Sequence, residues 1–429
     1  MTQAEIRIPD AQAATLVDPK AYADGRIFET YRWLRANNPL GMAQPEGYDP
    51  FWVVTRHADI LEVSRQNALF HSGDLATTIV GKAADAKVRE RTGGSPHLVR
   101  SLVQMDAPDH PKYRALTQAW FMPPNIRGLE ERIRTIARAS VDRMLATGGE
   151  CDFAKEVALH YPLHVVMEIL GVPESDEPRM LMLTQELFGA TDPELNRSHD
   201  DIAERKGADL TDIQATLADF FMYFKSITDA RKAEPTADLS TVIANGQIDG
   251  APINDFEAMC YYVIVATAGH DTTSSSTAGA AWGMCEFPEA FAKVKADPAL
   301  ISGLVDESIR WTTPVKHFMR SATEDTELRG RRIAKGDWLM LCYPSGNRDE
   351  EVFDTPDAFR PERSPNKHLA FGYGAHLCLG QHLAKMEMRI LWEELLPRLK
   401  SLEFNGKPTR AEANFVGGPK RLPIRYELA

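Results

Sequence analysis

Residues Phe371–Gly380 read FGYGAHLCLG and set one cysteine among closely spaced glycines, directly ahead of a helix-periodic segment. Leu379, Leu383, Met386, Ile390, Leu395 and Leu399 recur at helical intervals, which places Cys378 where a loop turns into a helix N-terminus. Unpaired backbone N–H groups and the positive end of the helix dipole favour an anion there, so a thiolate with a lowered pKa is expected. Gly372, Gly374 and Gly380 let the backbone approach a flat ligand closely. A thiolate presented in this way can ligate heme iron and push electron density toward O–O cleavage. Two other readings start from the same residues. A lone cysteine is most often a buried structural thiol. A glycine-rich loop can hold a dinucleotide, but G-x-G-x-x-G needs a third glycine where this chain has Leu377.

FGYGAHLCLG resembles the heme-binding loop of the cytochrome P450 family, F-G-x-G-x-H/R-x-C-x-G, at every position of that pattern. Two further signatures of the family stand upstream in order, AGHDTT at Ala268–Thr273 and E-x-x-R at Glu307–Arg310. The resemblance implies a mainly α fold with a small β portion, the triangular-prism P450 architecture. It also implies heme b (iron protoporphyrin IX) buried between a distal helix and the Cys-bearing helix. Cys378 would be the metal ligand, with Ala268, Phe371 and Gly380 among the cofactor contacts.

A chain of 429 residues, 43% of them hydrophobic, has ample material for one large core around a buried cofactor, and no Gly/Ser linker divides it. The expectation is a single catalytic domain over 1–429 with an extended N-terminal segment over about 1–25. A net charge of −12, from 49 basic and 61 acidic residues, argues against nucleic acid as a partner. Cys151, Cys260, Cys285, Cys342 and Cys378 are scattered and lack metal-finger spacing, which points to a reducing cytoplasm. The N-terminal MTQAEIRIPDAQAATLVDPK has no apolar run of signal-peptide length. Stretches such as Tyr261–Ala268 are too short for a bilayer, so no membrane association is expected.

FWVVT at Phe51–Thr55 reads as a strand, followed by an amphipathic helix over His57–Gln66 and a polar, glycine-containing loop to about Ser101. Helical periodicity resumes at Pro111 and runs through Glu131–Leu145, Leu159–Leu170, Met180–Phe188 and Thr216–Lys232. Thr191–Asp212 is charged and weakly periodic and reads as a mobile connection. Short strand-like pieces with glycine turns follow Arg320, notably Thr326–Leu341.

A long helical segment from about Ile253 to Phe287 carries Gly269, Asp271, Thr272 and Thr273 inside an apolar run. Glycine costs a helix about 1 kcal/mol against alanine, and threonine competes for backbone carbonyls, so a local distortion is expected. From the residues alone this is a kinked core helix, with Asp271 salt-bridged and Thr272 bonded to its own backbone. The resemblance implies instead a groove that admits O2 above the iron. Asp271 and Thr272 would then be a catalytic acid–alcohol pair that supplies protons in a pocket otherwise closed to water. His270 reads as a helix-surface or locally bonded residue.

Glu307 and Arg310 share a helix face, which by itself indicates a surface pair worth about a few tenths of a kcal/mol. The resemblance adds Arg363 of FRPER as the third member of a structural triad, while Arg360 stands where relatives often carry an acid. For the two heme propionates it assigns His110 and Arg114 of DHPKYR, Arg320 and His376. Each of these is otherwise an ordinary solvated charge. Leu98, Leu102, Val103, Ile264, Ala268, Val315, Phe318 and Val416 are expected to line an apolar substrate cavity, or else to be core. No obvious charged anchor for a carboxylate is present, with the orientation of Lys316 and His317 left open.

GYDPFWVVTRHADI, CDFAKEVALHYPLHVVMEILGVPE, AGHDTTSSS, GQHLAKMEM and NFVGGPK extend the resemblance over nearly the whole chain, toward the bacterial α-terpineol-hydroxylating P450s. It implies a heme-thiolate monooxygenase that hydroxylates a monoterpene, alkyl-aromatic or cyclic hydrocarbon with O2. No nucleotide loop, flavin segment or four-Cys spacing occurs in the sequence, so electrons are expected from a separate redox protein. The resemblance implies a [2Fe-2S] ferredoxin with its ferredoxin reductase. Lys112, Arg114, Lys367, Lys385 and Arg389 form a candidate basic face for it, or a plain solvated surface. Two other classes share the cysteine loop. A peroxide-using heme-thiolate enzyme needs no proton relay, and a heme-based sensor usually carries a DNA-binding or signalling domain.

Overall fold

The computed structural model describes residues 6–188, 192, 194 and 210–429. Two helices frame the interior. Asp255–Glu286 spans 32 residues and is started by Asn254, whose side chain accepts from the Glu257 N–H at 2.9 Å. It is buried along most of its length, from Ala258 to Cys285, as expected of a helix apolar on all sides. Gln381–Leu395 starts at Gly380 and buries Leu383, Met386, Ile390, Leu391 and Leu395, the face that the sequence periodicity marks. Ile301–Thr312 packs against both. Glycines set the spacing: a Cβ on Gly269 would come within 2.9 Å of Val166 in the helix His160–Leu170, and one on Gly283 within 2.6 Å of the Phe359 ring.

The largest sheet runs in the order Leu40–Ala43, Phe51–Val54, Trp338–Cys342, His317–Ala322, Phe70–His71. All pairings are antiparallel except that of Phe51–Val54 with Trp338–Cys342. Phe51 to Val54 are all buried, because apolar clusters cover both faces of this sheet. A second sheet joins Leu399–Phe404, Pro423–Leu428 and Glu150–Asp152. A bridge between Val315 and Val416 ties the connection after Ile301–Thr312 to the C-terminal loop, beside the central cavity.

Three expectations need correction. Asp10–Val17 and Pro19–Asp24 are helices rather than an extended segment, the second capped by Asp18, whose carboxylate accepts from the Lys20 N–H at 3.0 Å. Alanine-rich turns that bury only Ala13 and Leu16 carry too weak a periodicity to be read. The stretch up to Ser101, expected as a loop, contains the strand Phe70–His71 and the helix Lys82–Thr92, whose one buried side chain is Val88. The distal helix shows no break at Gly269–Thr273, because Thr267, Thr272 and Ser276 donate to the carbonyls of Val263, Ala268 and Thr272 at 2.7, 2.6 and 2.9 Å without interrupting it. Thr191–Asp212 falls largely outside the described residues. Within it Asp192 is buried and ion-paired to Lys420 at 2.9 Å, and the next helix begins at Leu210.

Candidate active site

Cys378 lies on the wall of a cavity of about 550 Å³ between the distal helix and the Cys-bearing helix. Its N–H donates to the Phe371 carbonyl at 2.8 Å and closes the loop, in which Gly372 and Gly374 take φ of +69° and +72°. A Cβ on Gly374 would run into the Ser64 carbonyl. A Cβ on Gly380 would meet nothing within 4 Å, so open space stands beside the cysteine. Burial raises the Cys378 thiol above its ordinary value, against the lowering by the Gly380 N–H, Arg114 and the Gln381 N–H. The expected helix-terminus N–H groups are therefore present, but in the protein alone desolvation outweighs them and the net shift is opposite to the one anticipated. A coordinated cation removes such a proton outright. Among the other cysteines only Cys260 also reaches the cavity, where its sulfur accepts from the Arg100 N–H at 3.3 Å.

His110, Arg114, Arg320 and His376 converge on this cavity. The rings of His110 and His376 stand 4.4 Å apart, and His376 Nε2 lies 3.2 Å from Ser72 Oγ and 3.9 Å from Asp106 Oδ1. Asp106 is already engaged by the N–H groups of Ser72 and Gly73 at 2.9 and 2.7 Å. Burial, with His376 and Arg114 beside it, pushes His110 down to about 4, and burial lowers Arg320 as well. Crowded donors short of negative charge are the environment that two buried carboxylates would relieve. The open space at Gly380, the cysteine and this donor set together fit heme.

On the distal side Thr272 lines the cavity and its hydroxyl donates to Ala268 O at 2.6 Å. Asp271 points elsewhere and is not part of the cavity wall. Its Oδ2 is buried without a partner and burial raises the carboxyl to about 8, so it carries a proton at neutral pH. The anticipated salt bridge is thus not formed: His270 Nδ1 lies 3.8 Å from Asp271 Oδ1. His270 is fully buried, not on the surface: Nε2 donates to Leu159 O at 2.8 Å and Nδ1 accepts from Thr184 Oγ1 at 3.0 Å. Burial pushes it down to about 4, which keeps it neutral.

Glu307, Arg310 and Arg363 are buried together. Arg310 donates to the Glu307 carboxylate through Nε at 2.8 Å and Nη2 at 2.7 Å, and Arg363 Nε reaches both oxygens at 3.1 and 3.2 Å. Asn366 and the Arg360 N–H complete the shell at 3.0 and 2.8 Å. The surface-pair reading therefore does not hold. The departure at Arg360 is accommodated because only its backbone serves the triad, while its side chain pairs outward with Asp354 at 2.6 Å.

Residues 299–424 match the family model described as Cytochrome P450. The chain is 51% identical over 433 residues to Cytochrome P450-terp of Pseudomonas sp, covering 99% of this chain and all of that one. This chain is a cytochrome P450. It is also 32% identical to the steroid C26-monooxygenase of Mycolicibacterium smegmatis, covering 99% and 98% of the two chains. The crystal structure of CYP108D1 from Novosphingobium aromaticivorans superimposes with a TM-score of 0.90 at 46% identity, over 99% of this chain and all of that one. As a P450 the protein is a monooxygenase that binds heme b through a cysteine thiolate and uses O2 on a hydrophobic substrate.

In this P450 all eight expected substrate residues, Leu98, Leu102, Val103, Ile264, Ala268, Val315, Phe318 and Val416, face the one cavity, as do Phe371 and Gly380. Lys316 and His317 do not. Lys316 donates to the Thr312 and Thr313 carbonyls, and His317 is held between the Ile79 N–H and Asn414 O. Sequence reasoning missed other wall residues, among them Thr77, Leu187, Ile213 and Leu217, which come from segments with no motif. It also missed Glu387. This acid lies on the apolar face of the Cys-bearing helix and lines the cavity, with Oε2 unpartnered and burial raising it well above the carboxylate range. An acid at an apolar position of a periodic helix was the available signal. No described helix is long and apolar enough to cross a membrane.

Proposed function

We propose that this P450 hydroxylates a small cyclic or branched hydrocarbon, a monoterpene or an alkyl-aromatic, with Cys378 as the thiolate that would hold the heme iron and a [2Fe-2S] ferredoxin and its reductase as electron source. The observation that carries the substrate class is the cavity wall opposite Cys378. Leu98, Val103, Ile264, Val315 and Val416 are apolar, and Thr272 stands among them as a hydroxyl. A ligand there gains about 25 cal/mol per Å² of buried apolar surface and, among the described residues, finds no cation for a carboxylate away from the donor cluster. The 51% identity to Cytochrome P450-terp, against 32% to the steroid enzyme, supports the smaller substrate. Support from surface charge is thin: Lys112, Lys385 and Arg389 are paired with Asp249, Asp306 and Glu130, which leaves Lys367 exposed.

When bound, heme b supplies the reduction of O2 and the oxidant that attacks the C–H bond. The chain contributes position, dryness and protons. His110, Arg114, Arg320 and His376 would hold the propionates, and Cys378 would hold the iron. Apolar walls exclude bulk water, which would otherwise waste the oxidant. Thr272 Oγ1 keeps a proton at the cavity surface, shared at rest with Ala268 O, and is a donor the chain would offer to the chemistry there. Asp271 holds the reserve proton, and because it faces away from the cavity, transfer passes through an ordered water or a side-chain rotation. A peroxide-using enzyme would need neither group.

A panel of monoterpenes, alkylbenzenes and steroids, scored by the low-to-high-spin shift of the ferric heme, tests the reading. The largest shifts are expected from monoterpene-sized ligands. A response confined to steroids removes the substrate class proposed here.

A further inference from the structure

Three cations meet in a part of the molecule that the reaction does not use. Lys316, Arg348 and Arg410 line a second cavity, of about 30 Å³, together with Trp282 and Trp311. Arg348 is 7% exposed; its Nη2 donates to Trp311 O at 2.7 Å, and its Nη1 is buried without a partner. The Arg410 guanidinium rests 4.2 Å from the centre of the Trp282 ring, and among the described residues no side-chain hydrogen bond to it is found. Lys316 Nζ spends two of its three N–H bonds on the carbonyls of Thr312 and Thr313, at 3.2 and 2.8 Å. Thr312 Oγ1, on the same wall, is likewise buried with no partner.

The carboxylates near this cluster do not balance it. Asp357 lies 3.5 Å from Arg348 Nε with its side chain 57% exposed, and Glu286, which faces Arg410, is exposed as well. Water screens both, whereas the Arg348 guanidinium is withdrawn from it and Lys316 and Arg410 are only partly exposed. Their strain is visible in the acidities: burial, with Arg410 and Arg348 nearby, pushes the Lys316 amine down to about 7, and burial with Arg310 and Arg410 pushes Arg348 down to about 9.

We propose that this cavity binds one small monovalent anion of halide size, held by Arg348 Nη1, Arg410, Lys316 and the Thr312 hydroxyl. The volume sets the class. About 30 Å³ admits one such ion or one to two waters, and it is too small for a tetrahedral oxyanion or a dicarboxylate. Water would satisfy the orphaned donors but leave the buried charge uncompensated. The ion would tie four segments together: the helix Arg26–Asn37, through Phe28 at 4.3 Å from Arg348, the end of the distal helix, the end of Ile301–Thr312, and the strand Thr409–Arg410. Lys316 directly follows Val315, so the site also backs a wall of the large cavity.

The heme-loaded protein melted at constant ionic strength, with gluconate replaced stepwise by chloride or bromide, tests the site. A saturable rise in Tm is expected. Crystals grown in bromide should show an anomalous peak between Arg348 and Arg410. Arg410→Met should abolish the halide-dependent rise, and Arg410→Lys should keep part of it. A Tm indifferent to halide, a rise of equal size in the parent and Arg410→Met, or a bromide crystal with only water in the cavity overturns the proposal. The bromide peak and the parental titration decide the matter even where a variant fails to fold.

Discussion

The Glu307–Arg310–Arg363 triad and the Asp271–Thr272 pair both place acids inside helices, yet the two acids are treated in opposite ways. Glu307 is surrounded by donors from Arg310, Arg363, Asn366 and the Arg360 backbone, and these hold it below its ordinary value despite burial. Asp271 has an unpartnered Oδ2 and is raised to about 8 by burial alone. A charge that is fully bonded is locked in one geometry and can only carry structure. An acid left unbonded keeps its proton and can still give it up, which costs the fold something and leaves a group free for chemistry.

The sharpest way to break this contrast is to remove one partner from the satisfied side. Arg363→Ala leaves part of the Glu307 charge buried and uncompensated and should cost about 3–5 kcal/mol, read as a large fall in Tm and in yield of heme-loaded protein. A parental Tm would reduce the triad to the surface pair that sequence spacing alone suggests.

Cys378→Ser should abolish the strongly red-shifted band of the ferrous carbon-monoxide complex while the helical circular dichroism persists. Serine at Cys151, Cys260, Cys285 or Cys342 should keep that band, since one axial thiolate suffices. Cys260 is the informative control because it shares the cavity. Loss of the band in Cys260→Ser with retention in Cys378→Ser would reassign the ligand.

On the unsatisfied side, Thr272→Ala removes a hydroxyl whose one bond among the described residues is to Ala268 O, so stability should change by no more than about 1 kcal/mol. Product formed per NADH should nevertheless fall by about tenfold or more, with the missing electrons recovered as hydrogen peroxide. Unchanged coupling would make Thr272 an ordinary helix residue.

The effect expected for Asp271→Asn is a slope against pH rather than a single loss. The folded carboxyl titrates near 8, above its unfolded value, so the folded state holds an extra proton between about pH 4 and 8. The parent's stability contribution from this group is complete below the unfolded pKa and is lost as pH rises through that window, by at most about 1.4 kcal/mol per pH unit. Asparagine removes the term, so Tm against pH should be flatter in the variant over that range, and turnover should be slower because the reserve proton is gone. Parallel Tm profiles would show that Asp271 is ionised in the fold.

Much of this was legible in the primary sequence because it depends on local chemistry. The spacing of glycines around Cys378, the helical recurrence of Leu383, Met386 and Ile390, and the order of the three motifs are properties of short segments, and the structure puts Cys378 and the eight apolar candidates around one cavity. Other features had no local expression. Lys82–Thr92 and the N-terminal helices bury too few side chains to show a period. Whether Asp271 would be paired, whether His270 would face solvent, and which way Glu387 would point depended on groups brought from distant parts of the chain, such as Leu159, Thr184 and Thr273. The sequence by itself determined the family, the cofactor-bearing loop and the apolar character of the cavity, since each is written in the identity and spacing of nearby residues. Only the tertiary structure decided which buried polar groups are satisfied and which are left free, because burial and hydrogen bonding are sums over neighbours that spacing along the chain does not reveal.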